Sequence, residues 1–281
     1  MSAIDCESVL IKHNFKYKKA FGQNFIFDAD LLDEIAVAGG ADKNTVVVEI
    51  GAGAGTLSRA IAKRCKTLCS FEIDETLFPV LSETLEEFDN VKLFSNDVTA
   101  IGIETVDMLI GEPYIVIANL PYYITSPVIM RLLEERLPIR SLTVMVQREA
   151  ADRICARVGT RECGAVTVAV NYYSTPKKLF NVSRGSFAPS PNVDSAVIRL
   201  DVADTPKYDV KDEKLFFRIV RTAFSQRRKQ MINPLSAELG ISKSETAELL
   251  ERSGVKATAR AEEVSMEGFV KLCASAGKLK I

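Results

Sequence analysis

Between residues 45 and 150 the chain alternates short apolar runs with stretches whose apolar residues recur at helical spacing. The runs "TVVVEI" (45–50), "TLCSFEI" (67–73), "VKLFS" (91–95), "YIVIAN" (114–119) and "LTVMVQ" (142–147) predict strands. Between them, "TLSRAIAKR" and "ETLFPVLSETLEEF" predict amphipathic helices. Continuous apolar strands separated by helices imply a mainly parallel sheet covered on both faces. "GAVTVAVNYY" (164–173) and "DSAVIRL" (194–200) are expected to close the sheet as a further pair of strands, one of them antiparallel. Beyond a linker near 201–212 the pattern changes to helices: "EKLFFRIVRTAFSQRRKQM", "SKSETAELLERSG" and "SMEGFVKLCASAG". The expected organisation is an α/β domain over 1–204 and a small all-helical domain over 205–281, with a basic segment at 1–22.

Composition narrows the chemistry. Apolar residues make up 47% of the 281 and charged residues 26%, as in an ordinary globular protein, and the formal net charge is −1. Global charge therefore does not hold this protein to nucleic acid, and any such contact must come from local basic patches. Six scattered cysteines without a C-x-x-C pair, and one histidine, His13, predict no metal site and no Ser-His or Cys-His catalysis. The thiols are expected to be free and mostly buried, as in a reducing compartment. Early acids, the lack of an apolar leader and the lack of a run of about 18 apolar residues predict a cytoplasmic, non-membrane protein.

Candidate chemistry collects at predicted strand ends. "VVVEIGAGAGTLSRAIA" is strand, glycine turn and helix, with Gly51, Gly53 and Gly55 allowing a tight turn and close approach of a ligand. Thr56 stands where a G-x-G-x-x-G pattern requires glycine, so the turn alone does not separate nicotinamide enzymes from methyltransferases. Glu72, 21 positions after Gly51, ends the next strand, where a carboxylate can accept ribose hydroxyls. Asp97 in "SNDVTA" follows the third strand, placed to accept from an adenine amino group. Taken singly, these acids are also ordinary strand-end, cap or turn residues. Three successive strand ends of this kind favour a nucleoside site. The strand "YIVIAN" then stops at Asn119-Leu120-Pro121-Tyr122, presenting an amide, a rigid proline and an aromatic ring together.

With "FGQNFIFD", "EIGAGAGTLS", "FEID", "NDV", "NLPYYITSP", "FAPSPNVDSAVIRL", "AFSQRRKQMINPL" and "RAEEVSMEGFVKL", the chain resembles the bacterial small-subunit ribosomal RNA adenine N6-dimethyltransferases along nearly its whole length. The resemblance implies a Rossmann-like, S-adenosylmethionine-dependent methyltransferase sheet followed by the helical domain. It implies cofactor contacts at Asn24, Ile26, Gly51, Glu72, Asp97 and Asn119. It departs from the family's usual pattern at Ile26, where leucine is common, and at "RECGAVTV", where a Tyr-Gly pair is common. The target would be two adjacent adenosines near the 3′ end of 16S rRNA, in the small ribosomal subunit, acted on by a monomer.

In that reading Asn119 and the Leu120 carbonyl polarise an adenine amine that has left its stack, and Pro121 keeps the turn rigid. Tyr122 stacks on one face of the base and Phe187 on the other. Tyr123 reads equally as core. Lys16, Lys18, Lys19, Arg221, Arg227, Arg228 and Lys229 are the expected RNA contacts. Competing readings are a large-subunit rRNA methyltransferase conferring macrolide resistance, a mainly non-catalytic ribosome-assembly factor, and a nicotinamide dehydrogenase.

Overall fold

A computed structural model describes residues 5–18, 22–96, 110–205, 207–226 and 228–278. The chain divides into two compact units, Met1–Ala151 with Lys177–Val202, and Asp152–Pro176 with Ala203–Ile281. Residues 152–176, expected in the first domain, thus cluster with the helical unit.

The first unit is built on a seven-stranded sheet. In chain order its strands are β2 (Val46–Ile50), β3 (Thr67–Glu72), β4 (Val91–Ser95), β5 (Tyr114–Asn119), β6 (Ile139–Gln147), β7 (Ser174–Val182) and β9 (Ser195–Val202). Their spatial order is β4-β3-β2-β5-β6-β9-β7. The first five run parallel, and β9 is antiparallel to β6. A separate short ribbon pairs β1 (Phe25–Ile26) with β8 (Phe187–Ala188). Every residue of β2 is buried, which explains its unbroken apolar run; Glu49 is the exception in character. Helices Ala29–Gly39 and Thr56–Ala62 pack with this sheet, contributing Leu32, Ile35, Leu57 and Ile61 to a core shared with Val47, Leu68 and Ile117. Chain order runs outward from β2 to β4 and then returns to β5. The carboxyl ends of β2 and β5 therefore flank the point where the winding reverses, the usual ligand position in open α/β sheets.

In the helical unit, Asp212, Ser242 and Ser265 cap Glu213–Phe224, Lys243–Arg252 and Met266–Ala276. Ser242 and Glu245 form a reciprocal capping box. The segment 164–173 departs from expectation: Ala165–Tyr173 is a helix, and the strand follows at Ser174. Its Ala/Val alternation fits a strand, but Tyr172 is buried against Phe216 and Phe217, and its hydroxyl donates to Glu213 at 2.7 Å. Gly164 N–H donates to Thr167 Oγ1 at 2.9 Å, closing the first turn. Tertiary burial overrides the local period here.

The helix expected to run from 213 through Met231 stops at Phe224, and a new one begins at Ile232. Met231 N–H donates to the Ala259 carbonyl at 3.1 Å, and its side chain is fully buried, so the backbone leaves the helical path to seat it.

Candidate active site

At the carboxyl ends of β2, β3 and β5 the first unit holds a cavity. Its walls are the N-terminal segment Gly22–Ile26, the glycine turn after β2, Glu72 and Ile73 after β3, Asn96 after β4, and Asn119–Ile124 after β5. Five of the six expected cofactor residues, Asn24, Ile26, Gly51, Glu72 and Asn119, therefore share one cavity. Asp97, with Lys19 and Arg227, lies outside the described residues.

The glycine turn is shaped by the strand beside it. Gly51 and Gly53 both take positive φ, 82° and 57°. Gly51 N–H and Ala52 N–H donate to the Phe71 carbonyl. A Cβ built on Gly51 would meet only the Asn119 carbonyl oxygen, at 3.8 Å, so bare backbone there leaves room beside the tetrad. Glu72, 7% exposed, accepts from Gly53 N–H at 2.8 Å with one oxygen and from Ile73 and Asp74 N–H at 2.8 and 2.9 Å with the other. Burial raises its carboxyl above the ordinary glutamate range, opposed by these three backbone bonds. A carboxylate has about four acceptor positions, so roughly one remains unused on this cavity-lining side chain.

The tetrad is held at both ends. Asn119 Nδ2 donates to the Asn24 carbonyl at 3.2 Å, which directs its Oδ1 away from that bond. The Pro121 carbonyl accepts from Ile124 N–H at 3.1 Å and Thr125 Oγ1 at 3.0 Å, closing the turn into helix Thr125–Glu134. Leu120 is buried. Tyr122 hydrogen-bonds through its hydroxyl to Ser195 Oγ at 2.6 Å, and burial pushes that phenol above its usual range. Nothing in the sequence pattern singled out Ser195, which is fully buried on β9.

Two aromatic expectations come out differently. Phe187 does not line the cavity; it is 6% exposed and packs in the core with Ile26 and Val197, because β8 pairs with β1. Tyr123, for which core packing was an equal reading, is 62% exposed at the cavity wall.

The basic residues also separate. Lys18 commits its ammonium to Asp74 at 2.6 Å, so it is tied to this unit. Lys16, Arg221, Arg228 and Lys229 are exposed. In the helical unit, Arg228, Lys229 and Arg260 line a recess with Gln230, Asn233, Thr258 and Glu263. Arg260 opens the motif "RAEEVSMEGFVKL" but was not singled out as a basic contact, nor was Thr258; the turn that brings Met231 against Ala259 sets them beside Arg228.

One buried acid stands beneath the turn. Glu49, fully buried on β2, accepts from Ser58 and Ser70 hydroxyls, both at 2.6 Å on the same oxygen. Its other oxygen has no hydrogen-bond partner among the described residues. Burial pushes the carboxyl up to about 7, against the pull of the two serines.

Residues 14–278 match the model of a family described as ribosomal RNA adenine dimethylase. The chain belongs to that family. Among relatives of this dimethylase is a ribosomal RNA small subunit methyltransferase A from Alkaliphilus oremlandii, 42% identical over 94% of this chain and 93% of its own. A protein of the same name from Geobacillus thermodenitrificans is 42% identical over 95% and 93%. Among solved structures, a dimethyladenosine transferase from Plasmodium falciparum superposes on the dimethylase chain with a TM-score of 0.75 at 23% identity, covering 90% of this chain and 98% of its own. The 23S rRNA methyltransferase ErmE does so with a TM-score of 0.70 at 24% identity, covering 91% and 100%. These two likenesses establish the Rossmann-like methyltransferase fold.

Proposed function

We propose that this protein transfers methyl groups from S-adenosylmethionine to the N6 amines of two adjacent adenosines near the 3′ end of 16S rRNA. The observation that carries the reading is the pinned amide of Asn119. With Nδ2 spent on the Asn24 carbonyl, Oδ1 is the atom left to accept from an adenine amine. The 42% relatives named for the small subunit favour that target over the large subunit, whose enzyme matches at 24%.

The cavity suits the cofactor: bare backbone at Gly51, an acceptor at Glu72 for a ribose hydroxyl, and Asn24 and Ile26 on the facing wall. When bound, the cofactor supplies an already activated sulfonium methyl. The chain's own residues then supply alignment. Asn119 Oδ1 and the Leu120 carbonyl accept the amine's two N–H bonds in the first transfer, and one of them accepts the single N–H left in the second. Both arrangements favour a pyramidal nitrogen whose lone pair is no longer shared with the ring. As the N–C bond forms, the methyl's bond to sulfur would break, and one proton per transfer would leave the nitrogen for solvent. Preorganised acceptors of this kind act where charge develops in the transition state. Tyr122 offers a ring to the flipped base, and its bond to buried Ser195 fixes that ring's orientation. Base stacking on one ring is worth roughly 1–3 kcal/mol, enough to offset much of the unstacking cost. Arg221, Arg228, Lys229 and Lys16 are proposed to meet RNA phosphates, with Arg260 added by the recess. A cytoplasmic monomer is part of the same proposal; separately, among the described residues no helix is long and apolar enough to cross a membrane.

Mass spectrometry of small-subunit rRNA from cells with the gene, without it, and carrying the Asn119→Ala form tests the reading. Loss of N6,N6-dimethyladenosine in the last two is expected. Full modification in cells lacking the gene would overturn it.

A further inference from the structure

The N-terminal wall of the cavity is held by a cluster of polar side chains that the methyl-transfer reading does not use. Lys18 N–H donates to Gln23 Oε1 at 2.8 Å. Gln23 Nε2 in turn donates to Asp74 Oδ2 at 2.9 Å. The other oxygen of Asp74 accepts from Lys18 Nζ at 2.6 Å and Thr76 Oγ1 at 2.6 Å. The Asp74 side chain is only 1% exposed. Burial alone would raise its carboxyl, but the bonds from Lys18, Thr76 and Gln23 outweigh that and hold it below the usual aspartate range.

This clasp sits between two parts of the site. On one side, Asp74 N–H donates to Glu72 Oε1 at 2.9 Å, tying it to the end of β3. On the other, Gln23 is followed by Asn24, whose carbonyl accepts from Asn119 Nδ2. Asn24 Nδ2 folds back onto the Gly22 carbonyl at 3.0 Å, and Gly22 lies against the tetrad, where an added Cβ would stand 3.2 Å from Pro121 Cβ. Gly22–Asn24 belongs to no helix or strand. The Asn24 carbonyl thus lies between strand β1, which begins at Phe25, and the side-chain bonds that hold Gln23 to Asp74 on its other side.

We propose that Asp74 and Gln23 form a positioning pair that acts through Asn24 to set the orientation of the Asn119 amide for methyl transfer. The proposal rests on the catalytic reading of Asn119 given above. Loosening the pair lets the Asn24 carbonyl drift, and the Asn119 amide is then free to turn its NH2 group toward the amine it must accept from. Misplacement of about 1 Å at a reacting group is costly even when its cause lies outside the chemistry.

The pair can be broken and remade by charge. Asp74→Asn sets an NH2 against the Gln23 NH2, and Gln23→Glu sets a carboxylate against the Asp74 carboxylate. The double variant restores one donor facing one acceptor and leaves the Gln23 position able to accept from Lys18 N–H. At saturating cofactor, each single substitution is expected to lower single-turnover methyl transfer by about tenfold, and the double to return within about threefold of the parent. Hydrogen exchange of the 23–26 amides, measured without cofactor, should quicken in the singles and slow again in the double. In an Asn119→Ala background, Asp74→Asn should cause no further loss, which a general loss of stability would not spare. If Asp74→Asn fails to fold, Gln23→Glu carries the same comparison. A full tenfold loss in the Asn119→Ala background, or no recovery in the double, overturns the positioning role alone. Parental activity in Asn119→Ala itself overturns the catalytic reading, and this proposal with it.

Discussion

At Asn119 the chemistry turns on which amide atom faces the cavity, and the Asn24 carbonyl decides it by accepting from Nδ2. Asn119→Ala removes the acceptor and is expected to slow single-turnover transfer by about 10²-fold at saturating cofactor, roughly 3 kcal/mol of transition-state stabilisation. A parental rate would reduce the tetrad to a turn. Tyr122 is different, because its ring and its hydroxyl do separate work. Tyr122→Phe keeps the stacking surface and loses a bond to Ser195 worth about 1 kcal/mol, so most activity should survive. Tyr122→Ala loses both, and capture of the base should fail. Equal inactivity of the two variants would give the hydroxyl a direct role. Glu49 supplies a residue-level pH dependence. Its folded carboxyl titrates at about 7 and the ordinary value is 4.5, so between these the folded state holds the extra proton. Its contribution to stability is therefore full below 4.5 and declines as pH rises to about 7, by roughly 3 kcal/mol. Glu49→Gln should flatten that decline in urea unfolding followed from about pH 5 to about pH 8. An unchanged slope would assign the dependence to other groups.

Among the elements, the glycine turn and the end of β3 work as one piece, since Glu72, in the cavity wall, anchors Gly53. Glu72→Ala should weaken S-adenosylmethionine binding by about tenfold or more, through both the lost ribose acceptor and a looser turn. Calorimetry showing parental affinity in a folded variant would remove Glu72 from the site. The five strands β2 to β6 were legible, because short apolar runs set off by helical patterns and turn residues have few other uses. Helix Ala165–Tyr173 was not. Its Val/Ala alternation carries a strand period, and what makes it helical is the packing of Tyr172 onto Phe216 and Phe217, residues more than 40 positions away.

For the whole molecule, a net charge of −1 means that RNA must be held by placement of cations, not by their number. Replacing Arg228, Lys229 and Arg260 by Ala should weaken RNA or subunit binding and lower the slope of log affinity against log salt by about 2 to 3, leaving cofactor affinity intact. An unaltered slope in filter-binding titrations would return the recess to an ordinary solvated face. Arg228 and Lys229 advertise themselves as a run in the sequence. Arg260 joins them only because Met231 is drawn to Ala259.

The sequence by itself determined the fold class, the family and most of the cavity wall, because those depend on local patterns: an apolar period, a glycine turn, an amide and proline at a strand end. Tertiary structure alone decided which atoms of those residues are free to act. It spent Asn119 Nδ2 and most of Glu72's acceptor positions on backbone groups, tied Lys18 to Asp74, withdrew Phe187 into the core and turned Tyr123 outward. A one-dimensional pattern names a side chain and its spacing, but the partner that consumes a hydrogen bond or covers a ring arrives from a distant segment. That partner is fixed only when the sheet, its ribbon and the N-terminal segment have packed together.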